Sequence, residues 1–185
     1  MRIIAGKFRS VPLAAVGKGD AAAHLRPTTD RVRESLFNVL ARYEPFNAAR
    51  VLDLFAGTGA LGLEALSRGA AHTTFVDQGR VAQKLLRENI AKLRVSEETT
   101  VLSCDACRLP TCLTEPFDLV FLDPPYGKDL GTQALISAER GGWLSPASLI
   151  VWEEESLMPA PPGYTLEDHR TYGGTHMTIL SKTAV

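Results

Sequence analysis

The stretch Val51-Leu-Asp-Leu-Phe-Ala-Gly-Thr-Gly-Ala-Leu-Gly62 decides the fold of this chain. Residues of strand character, Val51 to Phe55, run into a glycine-rich turn, and apolar residues at helical spacing then continue as far as Gly69. Glycines allow a tight turn and a close approach of the backbone to a ligand. A strand, a G-x-G-x-x-G turn and a helix in this order are typical of an open α/β sheet that binds nucleotide-like molecules at its strand ends.

On either side of this stretch the chain keeps a regular rhythm. Further strands are predicted over 73–76, 100–103, 117–122 and 149–152, and helices over 80–94 and 129–139. Such alternation predicts βαβ units and a mostly parallel sheet covered on both faces. Residues 164–172 and 175–180 then have strand character around Gly173-Gly174, which is a hairpin signal. We expect an α/β, Rossmann-like fold whose seven-stranded sheet gains an antiparallel terminal strand.

Length and composition predict a single domain. The 185 residues are 45% hydrophobic, enough for one core but too few for a second full domain. We assign 1–28 to a small basic β-hairpin or arm, 29–48 to a helix and 49–185 to the core. No run approaches the ~20 apolar residues of a membrane span, and the start lacks signal-peptide character. We therefore expect a cytoplasmic protein without a membrane partner.

The cysteines predict neither disulfides nor a metal site. Cys104, Cys107 and Cys112 are too few and too clustered for a disulfide framework. The first two form a C-x-x-C pattern, but no second cysteine pair or histidine cluster completes a zinc site. We interpret the spacing as chance and predict no bound metal.

Charge is unevenly distributed along the chain. Residues 1–50 carry nine basic and four acidic side chains, whereas 51–185 carry 11 and 17, so the two segments have net charges of +5 and −6. A basic arm on an acidic body suits a protein that binds a polyanion, because Lys and Arg neutralise phosphates and release counterions. An ordinary solvated surface remains the alternative.

The acid at the end of the first core strand indicates which cofactor the turn holds. An enzyme that uses NAD or FAD would place a pyrophosphate at the helix N-terminus, where the carboxylate of Asp53 would repel it. S-adenosylmethionine carries no phosphate, and its ammonium and sulfonium groups are attracted to a carboxylate. We therefore predict S-adenosylmethionine, with cofactor-binding candidates in this turn at Asp53, Phe55, Gly57 and Gly59.

Two further acids follow the next strands. Asp77 is placed to accept hydrogen bonds from both ribose hydroxyls of the cofactor. Asp105 is placed to accept the adenine amine, although an Asp after a strand is as often a helix cap.

Asp123-Pro124-Pro125-Tyr126 is the most specific motif in the chain and follows a buried strand. The prolines stiffen the turn and remove backbone donors, so it presents carbonyl oxygens. An Asp oxygen and the Pro124 carbonyl can together hold an exocyclic base amine facing a methyl donor, so methyl transfer then depends on positioning. Tyr126 can stack on the extruded base. The alternative is a stiff turn that caps the next helix at Asp129.

The first residue of this motif favours guanine over adenine as the base. Guanine presents N1–H and N2–H side by side to a carboxylate, whereas adenine presents an N1 acceptor that the carboxylate would repel. Guanine is therefore the predicted target, and no metal or covalent intermediate is required.

Together these residues resemble the bacterial 16S ribosomal RNA guanine-N2 methyltransferases of the RsmD family. The likeness spans nearly the whole chain and rests on four segments: Met1-Arg-Ile-Ile-Ala-Gly-Lys-Phe-Arg9, Leu25-Arg-Pro-Thr-Thr-Asp-Arg-Val-Arg-Glu-Ser-Leu-Phe37, Asp53-Leu-Phe-Ala-Gly-Thr-Gly-Ala-Leu-Gly-Leu-Glu-Ala-Leu-Ser-Arg-Gly69 and Asp123-Pro-Pro-Tyr126. Two features depart from the family pattern: Asp77 stands in a ribose-binding turn where Glu is more usual, and the loop over 15–24 looks elongated.

The resemblance implies a class I S-adenosylmethionine-dependent methyltransferase fold and a guanine of 16S RNA in the 30S subunit, or in an assembly intermediate, as the target. It implies that Arg26 and Thr28 close over the methionine end of the cofactor. It also places RNA contacts on the basic N-terminal region, at Arg2, Lys7, Arg9, Arg31 and Arg33. We expect the chain to act as a monomer.

Other functions fit less well. An adenine-N6 DNA methyltransferase shares the glycine turn and a related proline motif but normally carries an added recognition segment, for which 185 residues leave no room. A non-catalytic RNA-binding module would not need Asp53, Asp77, Asp123 and Tyr126 intact. A dehydrogenase conflicts with the charge of Asp53.

Overall fold

The computed structural model describes residues 1–15 and 29–183. It contains a seven-stranded sheet with the order β3-β2-β1-β4-β5-β7-β6. Strands β1 to β5 are mutually parallel where they pair, and β7 runs antiparallel between β5 and β6. The strands are β1 Arg50–Leu54, β2 His72–Val76, β3 Thr99–Leu102, β4 Phe117–Leu122, β5 Leu144–Glu154, β6 Tyr164–Tyr172 and β7 Thr175–Lys182. The predicted α/β sheet with an antiparallel terminal strand is confirmed.

Four α-helices accompany the sheet in the described part of the chain: α1 Asp30–Leu40, α2 Ala60–Ser67, α3 Arg80–Leu93 and α4 Leu130–Arg140. Thr29 directly precedes helix α1, and its hydroxyl accepts a hydrogen bond from the Val32 N–H at 3.3 Å. This is N-capping by a short polar side chain. The helix is shorter than the 29–48 segment assigned to it, because a 3₁₀ turn over Ala41–Tyr43 follows it.

Apolar residues pack on both faces of the central strands. On one face, Val51, Phe75 and Phe121 pack with residues of α1, α2 and α3. On the other face, Leu52 and Val120 pack with residues of α4. Strands covered on both sides need near-continuous apolar sequences, which explains the runs that predicted them. Among the described residues, no helix combines the length and apolar character needed to cross a membrane.

The N-terminal arm forms a minimal hairpin that rests on α2. The Ile3 N–H donates to the Val11 carbonyl at 3.0 Å, and a single bridge joins Arg2 to Pro12. The strand pair predicted here is thus reduced to one bridge, since the Val11 N–H donates to the Phe8 carbonyl at 3.1 Å and the Ile3 carbonyl accepts from Ser10 instead. Buried Glu64 accepts hydrogen bonds from the backbone of Ile4 and Ala5 at 2.7 and 3.0 Å.

Strand β5 is longer than the predicted strand over 149–152. Its end includes Glu153 and Glu154, which are only 6% and 7% exposed. In the sequence these acids resemble a solvated strand end, but β7 pairs with β5 as far as Glu154 and covers them. Two carboxylates therefore lie buried at the carboxyl end of the sheet.

Candidate active site

Four acidic residues lie at or just beyond the carboxyl ends of neighbouring parallel strands. Asp53 is in β1, Asp77 follows β2, Asp105 follows β3, and Asp123 follows β4. The strand order reverses between β1 and β4, and ligands of open α/β sheets bind in the crevice at such a point. The structure therefore brings all four predicted acids to one edge.

The glycine turn between β1 and α2 is held by Asp77. Its Oδ2 accepts a hydrogen bond from the Gly57 N–H at 2.8 Å, and its Oδ1 accepts one from the Gly79 N–H at 2.7 Å. Phe55, Gly57 and Gly59 have positive φ angles of 61°, 56° and 79°. Such angles are ordinary for glycine but unusual for Phe55, so the backbone here is constrained in a way often found at ligand sites.

Asp53 is almost fully buried, at 1% exposure. Its Oδ2 accepts a hydrogen bond from the Gly62 N–H at 2.9 Å, made at the first turn of α2. Burial raises the pKa of Asp53 to about 8, the Gly62 bond opposes this rise, and the charge of Asp77 adds to it. A buried acid of this kind suits a cationic ligand, because the positive charge of the ligand would favour the carboxylate form of the acid.

We expect Asp53 to make the stability of the ligand-free protein fall as the pH rises. Below its ordinary pKa of 3.8 the carboxyl is neutral in both states; between 3.8 and about 8 it ionises only when unfolded, so its contribution to stability is progressively lost. Asp53→Asn stays neutral, so its stability relative to wild type should increase over this window, by ~6 kcal/mol at most.

Urea denaturation at a series of pH values measures this difference. Glu97→Gln, a change of the same chemistry at an exposed site, is the control and should follow the wild-type curve. Parallel curves for Asp53→Asn and wild type would contradict the assigned ionisation.

The proline turn after β4 connects to three strands. The Asp123 N–H donates to the Leu54 carbonyl of β1 at 3.5 Å. The Tyr126 hydroxyl donates to Glu153 Oε1 at 2.9 Å and lies 3.2 Å from Thr175 Oγ1. Pro124 is buried and Pro125 exposed. The turn is thereby fixed to β1, β5 and β7.

Asp123 lies in a strongly acidic environment. Burial, followed by the nearby carboxylates of Glu153, Asp53 and Glu154, raises the pKa of Asp123 well above its ordinary range. The alternative role, a turn that caps α4, finds no support at Asp129, which makes no side-chain capping bond to that helix.

Glu153 and Thr175, which contact Tyr126, carry no recognisable motif in the sequence. The run Glu153 to Glu155 had no feature to separate it from a solvated strand end, and Thr175 lies beside the hairpin glycines without a motif. The one available signal was that the charged run directly continues the apolar strand that ends at Trp152.

Asp105 performs the capping role that the sequence left open. Its carboxylate accepts a hydrogen bond from the Cys107 N–H at 2.9 Å, at the start of a 3₁₀ turn over Ala106–Arg108. The three cysteines carry free thiols. Across residues 1–15 and 29–183, no group of three or more His, Cys, Asp and Glu side chains could hold a metal ion.

The basic residues proposed to contact RNA have different surroundings. Lys7, Arg9 and Arg31 are exposed, and Arg2 is exposed while paired with Asp30 at 3.5 Å. Arg33 is fully buried, with hydrogen bonds to Asp30 Oδ1 at 2.7 Å and to the Arg2 carbonyl at 2.6 Å. Its assignment to RNA is therefore corrected, because this guanidinium holds α1 and the arm together.

The two remaining cofactor candidates, Arg26 and Thr28, lie outside the residues that the structure describes.

The acids at this edge fit a positively charged ligand. The ion pairs of Asp30, Glu64, Glu139 and Asp168 lie elsewhere in the described ranges and involve none of Asp53, Asp77, Asp105 and Asp123. A ligand with an ammonium and a sulfonium group would lower the charge repulsion among these acids, whereas a pyrophosphate would increase it. The carboxylates at this edge therefore fit S-adenosylmethionine.

Comparison with known proteins indicates a methyltransferase. A family model described as conserved hypothetical protein 95 matches residues 1–181. Ribosomal RNA small subunit methyltransferase D of Escherichia coli strain K12 is 38% identical over 187 residues, covering 100% of this chain and 91% of that protein. The protein of the same name from Haemophilus influenzae is 38% identical, covering 94% of this chain and 89% of its own length.

A solved structure shares the architecture over its full length. The protein yhhF from Escherichia coli superposes with a TM-score of 0.83 at 36% identity, covering 100% of this chain and 99% of that one.

Proposed function

Because the chain belongs to the family of ribosomal RNA small subunit methyltransferase D, we propose that it methylates the N2 amine of a guanine in 16S ribosomal RNA, using S-adenosylmethionine. The observation that carries this proposal is the juxtaposition of two motifs: the Asp53 turn after β1 and the Asp123 turn after β4, on adjacent parallel strands joined by the Asp123 N–H. One suits a cationic methyl donor, and the other suits a planar base bearing an amine.

The residues around the glycine turn would hold the cofactor. Asp53 and Asp77 supply negative charge toward the methionine end and the ribose hydroxyls, and Gly57 and Gly59 let the backbone approach closely. Asp105 keeps acceptor capacity beside its cap, since a carboxylate has about four lone-pair sites. When bound, S-adenosylmethionine supplies the electrophilic methyl group.

The proline turn would hold the base. The Asp123 carboxylate accepts from guanine N1–H and N2–H, while the Pro124 carbonyl accepts the second amine hydrogen, so the nitrogen lone pair faces the methyl donor. Tyr126 offers its ring for stacking on a base extruded from a strand or loop. The proton leaves the nitrogen only after the new C–N bond has made it cationic, so a strong base is not required.

Transfer of labelled methyl groups tests the proposal directly. The purified protein is incubated with radiolabelled S-adenosylmethionine and either 30S particles lacking N2-methylguanine or the naked 16S RNA, and the RNA is digested to nucleosides. Label in N2-methylguanosine is the expected result. We also expect the enzyme to act as a monomer and to methylate the particle better than the naked RNA. Label in N6-methyladenosine would overturn the choice of base.

The exposed arm gives a second test. Neutralising Lys7 and Arg9 together by alanine should weaken RNA binding and reduce the slope of log K against log salt by about 1 to 2, because each phosphate contact releases a counterion. Filter binding at several salt concentrations measures the slope. Arg140→Ala, an exposed cation at the end of α4, is the matched control. An unchanged slope in the arm variant would exclude the arm from the interface.

A further inference from the structure

The phenol of Tyr126 lies between side chains from two other strands. Glu153 Oε1 of β5 accepts its hydrogen at 2.9 Å, and Thr175 Oγ1 of β7 lies 3.2 Å away. A phenol has one hydrogen, so with Glu153 as its acceptor the Tyr126 oxygen can accept from the Thr175 hydroxyl. The far end of the ring is therefore held from both sides.

Strand register explains why these groups meet. Leu122, the last residue of β4, pairs with Trp152 of β5, so Asp123 just beyond β4 and Glu153 of β5 each follow one member of this pair and lie close together. Glu153 also pairs with Met177 of β7, which brings the start of β7 beside it. Glu153 is only 6% exposed, and a hydrogen bond shielded from water in this way is electrostatically stronger than one in water.

We infer that Glu153 is a positioning residue of the active site, which acts on the base through Tyr126. This inference rests on the proposed function, in which the Tyr126 ring stacks on the target base. With its hydroxyl fixed by Glu153 and Thr175, the ring has its plane set before the base arrives, so the amine meets Asp123 and the methyl donor in the reacting geometry. Glu153 itself need not touch the base.

Kinetics of Glu153→Ala and Glu153→Gln test this role. Alanine removes the acceptor and should lower kcat on RNA about tenfold, while the KM for S-adenosylmethionine stays within about twofold. Glutamine keeps a carbonyl acceptor of the same length and should restore activity to within about threefold of wild type. Glu139→Gln, an exposed acid at the far end of α4, is the control.

A double-mutant cycle with Tyr126→Phe separates positioning from a general structural effect. Phenylalanine keeps the ring but removes the hydroxyl that Glu153 holds. If Glu153 acts through this hydroxyl, Glu153→Ala should change kcat by less than about twofold in the Tyr126→Phe background. A full tenfold loss in that background, or a Gln variant as impaired as the Ala variant, would overturn the inference.

Two further features keep the test decisive. If Glu153→Ala does not fold, Glu153→Leu, which removes the acceptor but fills the site, takes its place in the cycle with Tyr126→Phe, and additive effects there would count against the inference. The nucleoside that the wild-type protein methylates is identified first. Should that nucleoside be other than N2-methylguanosine, the proposed base is wrong, yet the coupling of Glu153 to Tyr126 is still measured on the actual product.

Discussion

Replacing Asp123 by alanine is expected to reduce kcat on 16S RNA about 10³-fold, since the variant loses the acceptor that orients the amine, and loss of one well-placed polar group at a reacting centre costs 10²–10³. Asp123→Asn should lose about 10²-fold, because its amide NH₂ faces the guanine N–H groups. Single-turnover transfer to RNA measures both effects.

The pH dependence of the same reaction checks the assigned state of Asp123. Burial and the neighbouring carboxylates raise the pKa of Asp123, and only its ionised form can accept both guanine hydrogens. Accordingly kcat/KM should rise with pH through this pKa in the wild type, and Asp123→Asn should lack that rise. Asp118→Asn, at the opposite end of strand β4, is the control and should retain wild-type kcat. Equal rates for Asp123→Asn and wild type on guanine would refute the carboxylate argument.

Replacing Glu64 by alanine is expected to destabilise the protein by about 3–5 kcal/mol, the range found when one partner of a buried ion pair is removed. Glu64 is fully buried, binds Arg68 at 2.8 Å and accepts the Ile4 and Ala5 N–H groups. Its loss leaves these donors without an acceptor and loosens the arm from α2. Chemical denaturation measures the change, and faster hydrogen exchange at Ile4 and Ala5 localises it.

Two comparisons sharpen the Glu64 prediction. Glu64→Gln retains one acceptor oxygen and should lie between alanine and wild type. Glu88→Ala, an exposed acid on α3, should remain within about 0.5 kcal/mol of wild type. If Glu64→Ala unfolds within about 1 kcal/mol of wild type, then the carboxylate is not what fixes the arm.

Local chemistry in the sequence was enough to predict the sheet and the two turns at its centre. The apolar runs of β1 and β4, the glycines that follow one and the prolines that follow the other depend only on near neighbours in the chain. The same reasoning placed Asp53 and Asp123 at one edge, because parallel strands end on the same side of a sheet. The terminal hairpin was likewise predicted from Gly173-Gly174.

The tertiary structure alone decided which charges are buried and what they contact. In the sequence, Arg33 is one more cation of a basic segment, but in the structure it is buried against Asp30 and the arm backbone. In the sequence, Glu153 resembles a solvated strand end, but in the structure β7 covers it and brings Thr175 to the same hydroxyl of Tyr126. These contacts join residues far apart in the sequence, so no local pattern encodes them, and burial that shifts a pKa exists only once the strands have paired.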